Sequence, residues 1–450
     1  MNFYKQKRFI FLLRRLSSTK PIVKLDENVT KDINNLVFKP RYHPGRTLSR
    51  TNQVPNKIIE SIQNILEDHP LKSLLEDSII LIRYLHARLP PVEHNQINTI
   101  KKEVTQEVLD KYKVDAVTDE KKDKLLLGLN SKIQFRLKQK IYNWTPIHFN
   151  EYNSLLYLLG RFAPDYAILI RIFYEINQRD VNFKPRSLFD FGSGVGTATW
   201  AAKHYWENNL FEYFNVDLSS HMNDLAQIML KGGKGTMQVN LKGVFYRQFL
   251  PANNIAYDLV VCSYSLLELP SRRARLQTIL NLWNKTSEYL VVVEQGSNAG
   301  FQIINEVRDF ILNINDSNNQ GYVFSPVCCP HELSCPRFLY DDTPCNFQVS
   351  YMSLPLGATS RLCKERYCYI VLKKGKRKED DPQWPRIVRE PLVRTRHTIC
   401  RFCTKEGKLD EIIFTASKHG KTTYHCARSS KWGDVLPVTV DREKPKDDTS

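Results

Sequence analysis

Three closely spaced glycines follow a short apolar run near the middle of the chain, in the stretch DFGSGVGT, residues 190–197. Glycines at a strand-to-helix turn let the backbone approach a ligand closely, and the helix N-terminus behind them offers free N–H groups. Asp217 ends the next apolar run, where a carboxylate can accept hydrogen bonds from both hydroxyls of a ribose. The predicted cofactor-binding residues are Asp190, Gly192, Gly194, Gly196 and Asp217.

The glycine spacing separates two kinds of nucleotide-binding fold. A dinucleotide-binding loop would have its third glycine at position 197, where this chain has Thr197. The spacing G-x-G-x-G, with an acid two residues before the first glycine, resembles motif I of class I S-adenosylmethionine-dependent methyltransferases. That resemblance implies S-adenosylmethionine as a candidate cofactor.

A catalytic group is harder to identify. Amino-methylating enzymes of this fold commonly carry an Asn/Asp-Pro-Pro-Tyr type motif after the fourth strand, whereas this chain reads CSYSLLEL at residues 262–269. Tyr264 could stack on a base and Glu268 could accept a proton, but such residues on a strand-to-helix loop more often pack or cap. Cys262, at the end of a buried strand, is more typical of an apolar filler than of a nucleophile. The catalytic residues therefore stay unassigned, and methyl transfer stays open.

The cysteines are concentrated in the last third of the chain. Nine of the ten lie beyond position 327, and three of these fall in CCPHELSCP, residues 328–336. In an intracellular chain such a group indicates a metal site rather than disulfide bonds. Cys368 lies inside the strand-like run YCYIVL and is predicted to be a core residue instead.

The cysteine spacing leaves two kinds of metal site open. Proline follows both Cys329 and Cys335, where it stiffens the chain beside a ligand, as in the Cys-Pro of bacterial ferredoxins. Only Cys400 and Cys403 have the C-x-x-C spacing typical of zinc, and His331 could serve as a nitrogen ligand. Spacing alone favours neither an iron–sulfur cluster nor a zinc site decisively.

The elements that must position these residues follow two patterns. Residues 30–180 show apolar side chains at helical spacing, which predicts an N-terminal helical domain. Pro164 fits the first turn of a new helix, so two helices are predicted to meet there. From residue 184, the apolar runs SLFDF, YFNVD, YDLVVC and YLVVVE alternate with helical stretches, which is typical of βαβ units and a parallel sheet covered on both faces.

The predicted fold class is therefore α/β, with a Rossmann-like sheet similar to that of class I S-adenosylmethionine-dependent methyltransferases. The alternation breaks after Gly300, where the cysteines begin, and one more strand-like run follows them. The predicted segments are a methyltransferase-like core at 181–300, a cysteine-rich insertion at 301–363, a last core strand at 364–375 and a basic C-terminal extension at 376–450 that completes the metal site.

Charge and length exclude some classes of protein. The 450 residues carry a formal net charge of +17, which favours a polyanionic partner such as nucleic acid. The uninterrupted apolar stretches fall far short of the roughly 18 residues needed to span a bilayer. Residues 1–25 are rich in Lys and Arg interleaved with Phe and Leu, and no acidic residue precedes Asp26. This composition is typical of a mitochondrial transit peptide and predicts a location in the mitochondrial matrix.

Several segments together resemble the methyltransferase-like protein 17 family of mitochondrial small-ribosomal-subunit assembly factors. They run from Arg161 to Pro437 and read RFAPDYA, DFGSGVGTATWAA, CPHELSCP, RHTICRFCTKEG and ARSSKWGDVLP. The patterns CPH-x-L-x-C and KWGD-x-L-P are specific, whereas the glycine loop is shared by the whole superfamily. The resemblance implies a [4Fe–4S] cluster held by four cysteines, and action on the small subunit while its RNA matures.

Matched motif by motif, the family's ligands fall on Cys329, Cys335, Cys345 and Cys403. Two features depart from the family pattern: Lys405 replaces an expected proline, and Cys400 lies close enough to Cys403 to compete as the fourth ligand. Such a cluster would order a basic region, because residues 361–401 contain 13 Lys or Arg against 5 Asp or Glu. A surface of this charge suits ribosomal RNA.

The sequence thus predicts a binding factor, monomeric when free, that acts on small-subunit ribosomal RNA and ribosomal proteins and is required for mitochondrial translation. An active ribosomal RNA cytosine methyltransferase is the first alternative, and a zinc-stabilised RNA-binding protein is the second. A radical enzyme is disfavoured, since such enzymes leave one iron open with three closely spaced cysteines.

Overall fold

The computed structural model describes residues 21–47, 52–112, 119–235, 241–251, 255–314, 316, 319–326, 335–340, 343–357, 359–379 and 381–441. The chain divides into two compact units. The α/β unit lies within residues 49–324 and 341–377, and the terminal unit lies within residues 1–48, 325–340 and 378–450.

The described helices are α1 (Glu27–Asn34), α2 (Asn56–Leu66), α3 (Leu71–His86), α4 (His94–Lys111), α5 (Asp119–Lys140), α6 (Glu151–Arg179), α7 (Thr197–Trp206), α8 (Ser220–Leu230), α9 (Arg272–Asn284), α10 (Asn298–Leu312), α11 (Pro336–Tyr340), α12 (Ala416–His419) and α13 (Lys421–Ser429). The strands are β1 (Ile22–Leu25), β2 (Ser187–Phe191), β3 (Glu212–Val216), β4 (Val244–Arg247), β5 (Tyr257–Ser263), β6 (Thr286–Gln295), β7 (Gly321–Ser325), β8 (Phe347–Met352), β9 (Leu362–Lys374), β10 (Arg386–Ile387), β11 (Leu392–Val393), β12 (His397–Cys403), β13 (Leu409–Thr415) and β14 (Val438–Asp441). None of these helices is both long and apolar enough to cross a membrane.

A large mixed sheet forms the centre of the α/β unit. Its strand order is β4-β3-β2-β5-β6-β9-β7, with β8 paired to β9. Strands β2 to β6 pair in parallel, and β9 runs antiparallel to β6. Phe189 and Val260, opposite each other on β2 and β5, are fully buried, as expected for strands covered on both faces. The predicted α/β class and the predicted apolar strands are confirmed.

The core of the sheet extends beyond the predicted boundary at residue 300. Helix α10 buries Ile303, Val307 and Ile311, and β7 lies next to β9 in the large sheet. The cysteine-bearing insertion therefore starts after β7 rather than at residue 301.

Helix α6 is one continuous helix of 29 residues that contains Pro164, not the two predicted helices. Proline cannot donate the backbone hydrogen bond to Gly160, so the local sequence disfavours this conformation. Burial compensates, because Phe162 and Ala167 on either side of the proline are completely inaccessible to solvent. Gly160 also lets α3 approach, since a Cβ there would lie 2.6 Å from Ile82.

The terminal unit is a folded β domain rather than an extension. Strands β10, β11 and β13 each pair antiparallel with β12, and β1 pairs antiparallel with β14. Val23 and Leu25 of β1 pack against the core of this unit. The predicted leader thus overlaps the fold at residues 22–25, while its first 20 residues lie outside the described part of the chain.

A buried ion pair stabilises the α/β unit where its helices meet the loop after β5. The Arg88 side chain is 1% exposed and pairs with Glu268. Its Nη1 donates hydrogen bonds to the carbonyl of Thr145 at 2.9 Å and to the hydroxyl of Tyr84 at 3.0 Å. The guanidinium also lies over the Trp144 ring, 5.6 Å from its centre.

Replacement of Arg88 by Met is expected to lower the free energy of unfolding by about 2 kcal/mol, because the carbonyl of Thr145 and the partly buried carboxylate of Glu268 would lose their hydrogen-bond donor. Urea denaturation of the purified protein measures this change. Lys140→Met is the control, since it breaks an exposed pair with Glu107 and should leave the midpoint almost unchanged. Equal midpoints for the two variants would contradict the role of Arg88.

Candidate cofactor crevice and cysteine sites

The glycine loop lies at the point where the order of the parallel strands reverses. Strand β2 neighbours both β3 and β5, so the connections after β2 and after β5 leave the sheet on either side of a crevice. Ligands of open α/β sheets bind at this crevice, outside the carboxyl ends of the strands. The loop after β2 and the loop after β5 form its edges.

Close contact between these two loops requires a glycine at position 192. The Ser265 hydroxyl donates to the carbonyl of Phe191 at 3.2 Å or to that of Ser263 at 3.0 Å. A Cβ at Gly192 would lie 1.9 Å from the Ser265 oxygen, and its φ of 67° is in the left-handed region. Any side chain there would separate the two edges of the crevice.

Asp217 fixes the rest of the glycine loop. Its Oδ2 accepts a hydrogen bond from the Gly194 amide at 2.8 Å, and its Oδ1 accepts one from the Ser219 amide at 2.9 Å. Burial raises the pKa of Asp217, and these two hydrogen bonds oppose the shift. A carboxylate accepts about four hydrogen bonds, so each oxygen retains capacity for a ribose hydroxyl. The structure therefore adds a role in holding the loop to the predicted role in binding ribose.

Asp190 is fully buried beneath the loop. Burial raises the pKa of its carboxyl to about 8, and the nearby charge of Asp217 contributes to the shift. At neutral pH the group is mostly protonated and can donate a hydrogen bond. Gly196, with a φ of 77°, starts α7 directly behind the loop. The structure thus brings all five predicted cofactor-binding residues to one edge of the sheet.

Three polar atoms at this edge lack a protein partner. The hydroxyl oxygens of Ser193, Ser263 and Tyr264 are buried and make no hydrogen bond to any described residue. Buried polar groups are normally satisfied by protein, water or ligand. Together with the glycine loop and Asp217, these hydroxyls fit the polar edge of an adenosyl cofactor.

Helix α6 covers the glycine loop, a feature that the sequence did not predict. A Cβ on Gly194 would lie 3.7 Å from the Tyr157 ring, and the Tyr157 hydroxyl donates to Asp165 at 3.3 Å. The Ser219 hydroxyl donates to the carbonyl of Phe149, just before α6, at 2.6 Å. The segment RFAPDYA contains Asp165 and contributes to the family resemblance. It was the sequence signal that could have indicated the contact between α6 and the glycine loop.

Tyr264 occupies the position after β5 in an unusual backbone conformation. Its φ is 56°, a region that non-glycine residues rarely adopt. The guanidinium of Arg161 lies over its ring, 4.6 Å from the centre. Arg161 is itself buried and forms ion pairs with Asp165 and, at 3.2 Å, with Glu365. The tyrosine ring therefore packs on a buried charge network instead of standing open to a base.

The other two candidates of this loop also have structural environments. Glu268 pairs with Arg88, and burial raises the pKa of its carboxyl even though Arg88 opposes the shift. Cys262 is completely buried, and burial raises the pKa of its thiol well above the usual value. These environments agree with packing roles and assign no catalytic group.

The predicted metal ligands are described in part. Cys329 lies outside the described residues. Cys335 precedes α11, Cys345 precedes β8, and Cys403 ends β12; Cys335 and Cys403 are buried. Within the described part of the chain, no three His, Cys, Asp or Glu side chains are grouped so as to hold a metal ion. The four-cysteine set, which includes Cys329, stays a prediction.

Strand alternation separates Cys400 from Cys403. Successive residues of a strand point to opposite faces, so side chains three positions apart lie on different sides. Cys400 and Phe402 belong to the apolar core of the terminal unit, and burial raises the pKa of the Cys400 thiol to about 12. Cys403 is buried elsewhere, against Val388. This arrangement favours Cys403 over Cys400 as the fourth ligand.

Two further late cysteines, Cys368 and Cys426, are explained by packing. Cys368 is completely buried in β9, which confirms the predicted core position. Cys426 is buried in the same core cluster as Cys400.

Solved structures that resemble the chain include methyltransferases, with low TM-scores. Magnesium protoporphyrin IX methyltransferase from Synechocystis, with bound S-adenosylmethionine, has a TM-score of 0.30 and 15% identity, over 58% of this chain and 99% of that one. A S-adenosylmethionine-dependent methyltransferase from Aquifex aeolicus has a TM-score of 0.26 and 13% identity, over 34% of this chain and 75% of that one. The fold assignment depends on the strand order described above.

Sequence relatives are more informative. The human ribosome assembly protein METTL17, mitochondrial, is 34% identical over 403 residues, which cover 88% of this chain and 86% of that protein. The ribosome assembly protein RSM22, mitochondrial, of Saccharomyces cerevisiae is 22% identical over 61% of this chain and 65% of that protein. A family model described as mitochondrial small ribosomal subunit Rsm22 matches residues 151–437. Because that match covers well over half of the sequence, the chain belongs to the Rsm22 family.

Proposed function

We propose that the protein is an assembly factor of the mitochondrial small ribosomal subunit, required for mitochondrial translation. The observation that carries this proposal is the 34% identity over 88% of the chain to a relative described as a mitochondrial ribosome assembly protein. The basic sequence at residues 1–20 supports import into the mitochondrial matrix.

The partners in this proposal are immature small-subunit ribosomal RNA and ribosomal proteins. The net charge of +17 supports RNA as the main partner, since each phosphate that a cation neutralises releases counterions. Arg394, Arg396 and Lys405 of the terminal unit are exposed to solvent and available for such contacts.

The methyltransferase-like sheet serves in this proposal to bind S-adenosylmethionine without transferring its methyl group. When bound, that cofactor supplies an electrophilic methyl group. Asp217 would hold its ribose, and the unpaired hydroxyls of Ser193 and Tyr264 would contact other polar atoms of its adenosyl part. Two features argue against transfer to a base: the Pro-Pro motif is missing, and Tyr264 packs against Arg161. An active ribosomal RNA cytosine methyltransferase remains the alternative.

We further propose that Cys329, Cys335, Cys345 and Cys403 hold a [4Fe–4S] cluster. The donor set of four thiolates suits such a cluster, and the Cys-Pro pairs at 329 and 335 support it. The cluster would have a structural role, because metal binding supplies folding energy to segments that lack a core of their own. A zinc ion in the same residues is the alternative.

The first test separates cofactor binding from assembly. Gly194→Arg is expected to abolish binding of S-adenosylhomocysteine in calorimetry, because the new side chain enters the crevice. It should nevertheless reduce the amount of assembled small subunit, measured on density gradients, less than Cys335→Ala does.

The control for this test is Gly235→Arg. Gly235 also has a positive φ, of 71°, but no atom lies within 4 Å of its Cβ position. This variant carries similar backbone strain and should bind S-adenosylhomocysteine normally. If Gly194→Arg reduces the amount of assembled small subunit as much as Cys335→Ala does, or more, the result would contradict the proposal that the protein acts as a binding factor.

The second test is the metal itself. Protein purified without oxygen should show the broad brown absorbance of an iron–sulfur cluster, with iron and acid-labile sulfide in equal amounts. Cys329→Ser and Cys403→Ala should lose this absorbance, because each removes a ligand. Cys400→Ala, on the other face of β12, should retain it. One zinc and no iron per chain would rule out the cluster.

A further inference from the structure

Helices α4 and α5 form an antiparallel hairpin with an apolar core of its own. That core consists of Val104, Val108, Leu129, Ile133 and Leu137. Polar contacts also join the two helices: Lys140 pairs with Glu107 at 2.8 Å, and the Lys132 ammonium donates to the Tyr112 hydroxyl at 2.9 Å. The hairpin therefore maintains its structure through contacts between its own helices.

One face of α5 combines positive charge with an exposed aromatic ring. Residues 128–140 contain four Lys or Arg and no Asp or Glu. Phe135 is 63% exposed and does not belong to the apolar core of the hairpin. Lys132 and Lys138, three positions before and after it, are exposed as well. Residues three apart are neighbours on a helix surface, so the ring lies between the side chains of Lys132, whose ammonium contacts Tyr112, and Lys138.

This arrangement fits single-stranded RNA. An unpaired base stacks on an exposed aromatic ring, and flanking cations contact the phosphates on either side. A protein partner would instead favour a larger apolar patch with charges of both signs, whereas the exposed side chains next to Phe135 are Ser131, Lys132, Lys138 and Gln139.

We propose that the α4–α5 hairpin is an RNA-binding arm, with Phe135 stacked on an unpaired base and with Lys138 on an adjacent phosphate. The proposal depends on the proposed function only in taking immature small-subunit RNA as the source of the unpaired segment. It adds a contact surface that the cysteine region and the cofactor crevice do not include.

Fluorescence anisotropy of the full-length protein with labelled single-stranded RNA oligonucleotides tests the arm. Phe135→Ala is expected to weaken binding about tenfold, in line with the loss of one base–aromatic stack. Lys138→Ala is expected to reduce the slope of log K against log salt by about 0.7, for one lost phosphate contact on a single strand.

Matched controls keep this test specific. Ile80 on α3 is also 63% exposed, so Ile80→Ala removes an equally exposed apolar side chain outside the hairpin. Lys57→Ala removes one exposed cation on α2. Both should bind RNA like the wild type, and thermal unfolding should show that all variants are folded.

The outcomes distinguish the arm from the general proposal. If the wild type binds RNA and the Phe135 and Lys138 variants bind it equally well, the arm is overturned and the proposed assembly function stays intact. Binding of duplex RNA alone, with no affinity for single strands, also overturns it. Wild-type protein that binds no RNA of either kind overturns both the arm and the proposed RNA partner.

Discussion

The contact between the loops after β2 and β5 is the constraint on which the crevice depends. Because Ser265 lies against the backbone at Gly192, only glycine fits there, and the loop is forced into a left-handed turn. Asp217 then holds the next part of the loop by accepting the Gly194 N–H. The amides of Gly192 and Ser193 both donate to the carbonyl of Val216, so the turn is also held against the end of β3.

Buried charge determines what the crevice can do. The loop after β5 holds the Tyr264 ring against Arg161. Arg161 needs Asp165 and Glu365 because an unpaired buried guanidinium would be very costly. Burial raises the pKa of the Asp165 carboxyl to about 6, because desolvation outweighs the opposing effect of Arg161. Residues that could have served an acceptor base are therefore engaged in supporting the fold.

The sequence predicted those parts of the structure that depend on short-range patterns. Near-continuous apolar runs identified the strands, and glycine spacing with Asp217 identified the crevice. Prediction was wrong where packing over long distances overrides local preference, as at Pro164, which burial holds inside α6. The sequence analysis also placed residues 22–25 in a leader. Their place in the fold depends on pairing with the distant β14, where Val23 and Leu25 pack against the core of the terminal unit. Neither the positive φ of Tyr264 nor its contact with Arg161 has a signature in the sequence. The contact joins two residues that lie 103 positions apart.

The two faces of β12 show how a fold can select a metal ligand among equivalent residues. Cys400 and Cys403 have the spacing of a zinc pair, yet a strand turns side chains three positions apart to opposite sides. The thiol of Cys400 is enclosed by Phe402, Phe414 and other apolar groups, where burial stabilises its neutral form. Cys403, on the opposite face, lies outside that core and packs against Val388. The strand therefore places the two thiols in different surroundings, and the proposed cluster uses the thiol that the apolar core of the terminal unit does not enclose.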